Sequence, residues 1–324
     1  MDYKTLQVDI RNGDLKPVYL LYGEERYLVT HYADALGADS DRETFDGNVP
    51  PQQIKLAADA LPFLAEKRVV YVRDSKLFVN GRKNDAETLA DYIPHIPPET
   101  ILIFIETEAD KRLKLYKAVA KEGRAIECTP LPPPELNRWV VKKFTDRGKT
   151  ITPNAAEALM RTTAYSMTAL ANEIDKLAAY AGKRPGITIE DVDALCTATT
   201  QTKVFDMLAA MGRGDTARAL QLYANMLYMK ESPHGILSMV TRQFRIILLC
   251  KEAQNKKMPK ADMAKALGLH PFAVSEALAQ AGRYSTHKLL AAMVDCADTD
   301  VRMKSGRMDA ELGVELLIVK YSVK

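Results

Sequence analysis

The tripeptide Gly148-Lys149-Thr150 is the part of the sequence nearest to a catalytic motif, because it spells the end of a phosphate-binding P-loop. A P-loop, Gly-x-x-x-x-Gly-Lys-Ser/Thr, joins a strand to a helix, so that its backbone N–H groups surround phosphate and its hydroxyl binds Mg²⁺. Here Lys143 occupies the position of the first glycine, and the preceding segment, 136–146, has the pattern of an amphipathic helix. We therefore interpret Gly148 as a helix C-cap.

The other place where a nucleotide site is expected is the turn after the first predicted strand, 17–22. This turn, 23–25, reads Gly-Glu-Glu, and its two carboxylates would repel a triphosphate at pH 7. A later strand, 68–72, is followed by Arg73, so that a cation stands where an ATPase needs a carboxylate for Mg²⁺. These departures predict no ATPase site, no catalytic residue and no cofactor.

Cysteine and histidine spacing gives no sign of a metal site. Cys128, Cys196, Cys250 and Cys296 form no Cys-x-x-Cys pair, and the five histidines show no His-x-x-x-His spacing. We expect buried or half-buried thiols and no bound metal.

The elements that would position any site fall into an α/β part and an all-α part. The chain has 324 residues, 47% hydrophobic and 27% charged, as expected for a globular protein of two or three domains. Short apolar runs separated by helical patterns in residues 1–128 indicate a parallel sheet covered on both faces. Strands are predicted at 17–22, 42–45, 68–72, 101–105 and 125–128, and helices at 24–36, 51–61 and 110–122.

A domain boundary is predicted at the three consecutive prolines, 132–134, which neither continue a helix nor pair within a sheet. The strand signals disappear from Glu135 onward, and the polar stretch 197–203 reads as a second linker. The sequence thus predicts an α/β domain, 1–131, a small helical domain, 132–203, and a helical C-terminal domain, 204–324. Helix starts are predicted at Thr152-Pro153, at a capping box from Thr188 to Asp191, and at Asp215, Ser232-Pro233, Pro271, Ser285 and Asp309.

No targeting segment is visible in the sequence. Met1 to Lys4 lead directly into mixed polar sequence, without the basic and apolar regions of a signal peptide. No apolar run approaches the roughly 20 residues that span a bilayer. We expect a cytoplasmic protein without membrane contact.

Positive charge is concentrated modestly in the C-terminal part. The net charge of the chain is +3, and residues 206–324 contain 17 Lys+Arg against 12 Asp+Glu. Arg242 and Arg245, three positions apart on one helix, and the pair Lys256 and Lys257 are candidates for contact with nucleic-acid phosphate. An ordinary solvated helix surface is the alternative interpretation.

With these segments defined, the sequence resembles the delta subunit family of bacterial DNA polymerase III over nearly its whole length. No single match is specific, but the order and spacing of the matches across three predicted domains identify the family. The matching segments are 17–25 with Tyr27-Leu28, 61–74, 103–106 with 110–112, 170–177, 204–208 with Gly214-Asp215 and Ala219-Leu220, 243–245, and 300–306.

The resemblance implies an accessory subunit of the DNA-directed DNA polymerase holoenzyme, with an AAA+-like α/β domain, a helical lid and a helical collar. The first domain would bind and open the sliding clamp, the beta subunit. The collar would assemble with the gamma/tau and delta prime subunits around primer-template DNA. Two alternatives differ in testable ways: an active AAA+ ATPase, which the acidic turn and Arg73 contradict, and a delta-prime subunit, whose usual zinc-binding cysteines and Ser-Arg-Cys segment are not found in this sequence.

Leu61, Phe63 and Leu64 are the predicted clamp-binding residues. Pro62 ends the predicted helix 51–61, whose apolar positions are Ile54, Leu56, Ala57 and Ala60, and two large apolar side chains follow in a short loop. In one interpretation, one of them covers the sheet edge and the other packs under its own helix. In the other they form an exposed wedge, and the resemblance implies that this wedge enters a pocket of the clamp.

The C-terminal helices also carry broad apolar faces. Leu237, Val240, Phe244, Ile247 and Leu248 recur at helical spacing. They either form the core of their own domain or contribute to the assembly role that the resemblance implies.

Overall fold

The computed structural model describes residues 3–38, 40–63, 65–269 and 271–322. Leu64, one of the predicted clamp-binding residues, lies outside the described residues. The chain divides into two compact units, Met1–Pro130 and Leu131–Lys324.

The first unit is built on a five-stranded sheet in the order β2-β3-β4-β1-β5, with every neighbouring pair parallel. The central strands β1 and β4 are buried along their whole length, which explains their unbroken apolar runs. At one edge, β2 alternates between half-buried and exposed residues. The strands are β1 (Val18–Tyr22), β2 (Asp41–Asp46), β3 (Arg68–Arg73), β4 (Thr100–Glu106) and β5 (Arg124–Glu127).

Helices cover both faces of this sheet. Leu20, Leu102 and Phe104 share a buried cluster with side chains of α3, α4 and α5, whereas the Tyr71 hydroxyl, on the other face, donates to the Ala33 carbonyl of α2 at 3.0 Å. The arrangement is the predicted AAA+-like α/β fold. Its helices are α1 (Tyr3–Asn12), α2 (Arg26–Leu36), α3 (Pro51–Asp59), α4 (Lys83–Tyr92), a 3₁₀ turn (Ile93–His95) and α5 (Lys114–Glu122).

The second unit is predominantly helical, as predicted. Two short strands, β6 (Thr150–Ile151) and β7 (Gly186–Ile187), pair in parallel, so the expectation that strands disappear after Glu135 is wrong at this point. Its helices are α6 (Pro133–Thr145), α7 (Pro153–Thr162), α8 (Met167–Ala181), α9 (Ile189–Leu195), α10 (Thr200–Arg213), α11 (Thr216–Tyr228), α12 (Pro233–Asn255), α13 (Lys260–Leu267), α14 (Pro271–Ala281), α15 (Thr286–Lys304) and α16 (Ala310–Ser322).

The helix starts in this unit follow the predicted capping residues. Thr188 and Asp191 form a capping box, and the side chains of Asp215 and Ser285 accept hydrogen bonds from the first turns of α11 and α15. The predicted linker 197–203 is shorter than expected, because α10 already begins at Thr200. Within the described part of the chain, no helix combines the length and apolarity needed to cross a membrane.

Candidate functional site

The turn between β1 and α2 is too tight to be a phosphate-binding loop. Only residues 23–25 separate Tyr22 from Arg26. Gly23 has φ +125°, and a Cβ added to it would lie 2.4 Å from the carbonyl oxygen of Cys128. The backbone N–H of Glu25 donates to that same carbonyl at 3.0 Å. The Cys128 carbonyl therefore fills the space beside Gly23 and accepts the N–H of Glu25, both of which a P-loop would leave open for phosphate.

The N-terminus of α2 is occupied by a carboxylate of the chain. The side chain of Glu25 is the N-cap and accepts a hydrogen bond from the backbone N–H of Tyr27 at 3.2 Å. Burial raises the pKa of Glu25 above its ordinary value. The donors and the positive end of the helix dipole, which bind phosphate in nucleotide-binding proteins, face this carboxylate instead.

A buried acid stands at the carboxyl end of the sheet, where sequence reasoning had considered only Arg73. Glu106, the last residue of β4, is 4% exposed and accepts hydrogen bonds from the backbone N–H of Ser75, at 3.0 Å, and from the Ser75 hydroxyl. Burial raises the pKa of Glu106. Arg73 itself is exposed at the end of β3. Glu106 thus fixes the chain that leaves β3, and its position at the end of an apolar strand was the signal that could have revealed it.

The tripeptide Gly148-Lys149-Thr150 closes a helix, as expected. Gly148 adopts a left-handed conformation with φ +67°, and the N–H of Lys149 donates to the Phe144 carbonyl at 2.9 Å. The Lys149 ammonium group donates to two backbone carbonyls, including that of Arg184 at 2.7 Å. This lysine is engaged within the second unit.

The cysteines are free thiols. Cys128, Cys250 and Cys296 are buried and Cys196 is half-buried, as predicted. Burial raises the pKa of Cys128 to about 12, so the group is an uncharged thiol at neutral pH.

The segment after α3 presents large apolar side chains to water. Ala60 has an extended backbone, which ends the helix, and Leu61 and Phe63 are 76% and 89% exposed. Neither side chain covers the sheet edge or packs under its helix, so the structure favours the exposed wedge over the packed alternative. We call Leu61 and Phe63 the apolar tip.

Leu56 adds a third exposed apolar side chain to this region. Leu56 and Ala60 are apolar positions of the predicted helix 51–61, but Leu56 is 72% exposed and Ala60 is exposed too. The buried stripe of α3 runs through Pro51, Ile54 and Ala58. Leu56 comes two positions after Ile54, and residues two apart lie on different faces of a helix. Leu56 therefore points away from the buried stripe although it is apolar.

Polar contacts fix the chain on both sides of the apolar tip. The N–H of Phe63 donates to the carboxylate of Asp41 on β2. Before the tip, the Ala57 carbonyl accepts from Arg68 Nε at 2.7 Å, and after it, Lys67 Nζ donates to the Pro98 carbonyl at 2.8 Å. These hydrogen bonds hold the backbone around the tip against the sheet and the neighbouring loop, while the side chains of Leu61 and Phe63 remain exposed.

The candidate phosphate contacts of the second unit do not form one site. Arg242 and Arg245 both line a groove between α12 and α15. Lys256 and Lys257 follow the C-terminal end of α12. Arg242 and Lys256 are 14 residues apart, which corresponds to about 21 Å along a helix.

The predicted apolar face of α12 belongs to the core of its own unit. Leu237, Val240, Phe244, Ile247 and Leu248 are all buried in one cluster. Other apolar residues of this unit are exposed. On α15 and α16 they include Leu290, Val294, Val301, Leu312, Leu316 and Val319.

The first unit is an AAA+-like sheet domain whose turn after β1 is not a P-loop, and a helical unit follows it in the chain. These features define the class as AAA+-like proteins without a P-loop. Two family models match this chain: "DNA polymerase III, delta subunit" over residues 19–129, and "DNA polymerase III delta subunit, C-terminal domain" over residues 201–321. Together they cover most of its length. The chain belongs to the family of DNA polymerase III delta subunits.

Similar proteins agree with this assignment over most of the chain. The chain is 29% identical to the DNA polymerase III subunit delta of Bacillus subtilis, across 96% of this chain and 94% of that protein. It is 20% identical to the probable DNA polymerase III subunit delta of Aquifex aeolicus, across 74% and 72%. The solved structure of the B. subtilis DNA clamp loader delta protein superimposes with a TM-score of 0.81 at 27% identity, covering 98% of this chain and 99% of that one.

Proposed function

We propose that this subunit binds the sliding clamp of the replication machinery through the apolar tip, Leu61 and Phe63, and favours its open form. The clamp can then be loaded on primed DNA. The observation that carries the proposal is the exposure of two large apolar side chains on an anchored turn. A folded protein normally buries such side chains, so their exposure together indicates a contact with a partner.

The anchored base of the tip suits it to bind a preformed hydrophobic pocket. Because Asp41 and Arg68 hold the chain on either side, little conformational entropy remains to be lost when the tip inserts. Full burial of a Leu or Phe side chain contributes about 1.5–3 kcal/mol. Two such side chains contribute about 3–6 kcal/mol, which is less than the roughly 8 kcal/mol of micromolar binding, so other residues around the tip must also contact the clamp. Leu64, adjacent in sequence, is proposed to belong to the same contact.

Clamp opening requires no covalent chemistry from this subunit. A ligand shifts a conformational equilibrium by its differential affinity for the two states. The subunit therefore needs only to bind the open clamp more tightly than the closed clamp. The free energy for this preference comes from the contact made by the apolar tip.

We also propose that the chain neither binds nor hydrolyses ATP. Support comes from the Glu25 carboxylate at the N-terminus of α2, from the short turn 23–25, and from Arg73 at the end of β3. Titration calorimetry of the isolated chain with Mg·ATP is expected to give no heat of binding. Micromolar affinity for ATP would contradict this part of the proposal.

Assembly with the other loader subunits, gamma/tau and delta prime, is proposed for residues 204–324. The buried face of α12 is already used by its own core, so the contact must come from other helices. Leu312, Leu316 and Val319 recur at positions i, i+4 and i+7 of α16 and are all exposed, which places an apolar stripe on the outside of the bundle. This stripe is our proposed assembly surface.

The experiment that tests the proposed function is a binding measurement between the full chain and the sliding clamp. Wild type is expected to bind, and a variant with Leu61→Ala and Phe63→Ala is expected to lose binding while keeping its melting temperature. A folded double variant that still binds the clamp as tightly as wild type would place the contact elsewhere.

A further inference from the structure

We propose that a small pocket between α10 and α12 binds an acidic side chain of a neighbouring loader subunit, with Arg242 and Gln243 as the groups that receive the carboxylate. The pocket is argued from its own chemistry, and the choice of occupant rests on the proposed assembly role of residues 204–324. We call it the α10 pocket. It is lined by Gln201, Val204, Phe205, Met239, Arg242 and Gln243.

The α10 pocket has a buried floor and an open rim. Val204, Phe205 and Gln243 are buried, whereas Met239 and Arg242 on α12 are exposed. The cavity encloses about 50 Å³, which leaves room for the few atoms of a carboxylate group but not for a base and its sugar. A group that enters the pocket must therefore stand at the end of a narrow projection such as a side chain.

An unsatisfied donor at the floor points to an acceptor in the ligand. Gln243 is 3% exposed, and its Nε2 has no hydrogen-bond partner among the described residues. The terminal amide of a glutamine rotates about its last side-chain bond, so Gln243 can turn this nitrogen toward the pocket. A buried donor without an acceptor is unfavourable, and a ligand oxygen in the α10 pocket would remove that cost.

The charge around the pocket selects a carboxylate among the possible acceptors. Among the described residues, no acid lines the α10 pocket, and Arg242 makes neither an ion pair nor a side-chain hydrogen bond. Asp206, the acid that follows Phe205 on α10, is ion-paired with Arg161. Hydrogen bonds between a guanidinium group and a carboxylate are roughly twice as strong as those between neutral groups. Gln201 lies in the first turn of α10, where the helix dipole also favours negative charge.

Exposed apolar side chains beside the pocket indicate that the partner is a protein. The Lys203 ammonium group, on the first turns of α10, contacts the sulfur of Met229. The Thr200 hydroxyl donates to Glu231, so the turn that follows α11 lies beside the start of α10. At this turn Tyr228 is 91% and Met229 is 50% exposed. Because Tyr, Met and Arg are enriched at protein interfaces, the α10 pocket would receive one acidic side chain within a larger apolar contact.

The test is assembly of the full chain with purified gamma/tau and delta prime subunits of the same organism, without DNA, measured by native mass spectrometry over a range of concentrations. Arg242→Glu is compared with Arg245→Glu, the same charge change one turn further along α12 and outside the α10 pocket. We expect Arg242→Glu to weaken assembly about tenfold or more, because it brings two carboxylates together, and Arg245→Glu to change it less than about twofold. Equal effects of the two variants would overturn the inference.

Gln243→Leu tests the buried donor without changing the charge. Because this substitution removes an unpaired amide, the free chain is expected to keep or gain thermal stability while assembly weakens about threefold or more. Unchanged assembly of a folded Gln243→Leu variant would mean that the pocket holds only water, and the inference would be wrong.

Arg242→Lys identifies the acid that enters the pocket. A carbodiimide joins the introduced amine to a carboxylate as an amide, and takes up the released water to become a urea. Peptide mass spectrometry of the assembled loader is expected to find this amide with one Asp or Glu of a gamma/tau or delta prime subunit, and to find none for Arg245→Lys. No such amide at either position would contradict the inference.

Two further outcomes separate this inference from the proposed function. Normal assembly of Arg242→Glu together with weaker DNA binding by the loader would assign Arg242 to phosphate and overturn the α10 pocket. Assembly that fails only for Leu312→Ser with Leu316→Ser would also overturn the pocket but leave the assembly role of the second unit intact. Failure of the wild type to assemble would overturn both.

Discussion

Replacing Phe63 by alanine separates clamp binding from folding, because the side chain is 89% exposed and makes no contact on which the fold depends. Substitutions at such surface positions usually change the free energy of unfolding by less than about 0.5 kcal/mol. In the complex, truncating an aromatic anchor at the centre of an interface costs about 2–4 kcal/mol. We therefore expect Phe63→Ala to raise the dissociation constant for the clamp by about 30- to 1,000-fold with an unchanged melting temperature.

The assay is surface plasmon resonance with immobilised clamp and the full chain in solution. Tyr228→Ala is the matched control, since Tyr228 is 91% exposed on the second unit and loses the same kind of side chain. Adding Leu64→Ala to Phe63→Ala is expected to abolish binding at micromolar concentrations. A folded Phe63→Ala variant with clamp affinity within about threefold of wild type would refute the assignment of the apolar tip.

The remaining predictions concern the sheet and the helical unit. Because burial raises the pKa of Glu106 above its ordinary value of 4.5, its carboxyl contributes stability that is fully present below pH 4.5 and is lost as the pH rises through the higher pKa of the folded state. Relative to Glu106→Gln, the wild type should therefore lose unfolding free energy as the pH rises above 4.5 in urea titrations, and a difference independent of pH would contradict this. Leu312→Ser with Leu316→Ser is expected to weaken co-purification with the other loader subunits about tenfold or more, while Tyr180→Ser, equally exposed on α8, leaves it unchanged. Equal recovery for both variants would move the assembly surface away from α16.

The sheet was predictable because each central strand is buried on both faces, and such a strand needs an unbroken run of apolar residues. The runs at 17–22 and 101–105 correspond to β1 and β4, and the predicted and observed ends differ by at most one residue. Helices α1 and α4 were missed because their sequences are mostly polar and only a narrow stripe packs on the sheet. Helix α4, for example, buries Leu89 but has few other large apolar residues.

The candidate site was predictable in its residues but not in its geometry. Pro62 and the adjacent large apolar residues indicate an exposed turn, but nothing in the sequence shows that Asp41, about 20 positions earlier, accepts the N–H of Phe63. Leu56 is apolar by residue type, but its position on the helix, two residues after the buried Ile54, leaves it exposed.

The charged edge strand beside the apolar tip bears on how the free subunit stays in solution. An unpaired sheet edge next to exposed apolar side chains invites other chains to add as extra strands, which leads to aggregation. Four of the six residues of β2 are charged: Asp41, Arg42, Glu43 and Asp46. Another chain that paired with this edge would have to desolvate these charges, at a cost that opposes such pairing. The strand that holds the tip in place therefore also limits self-association before a partner covers the tip.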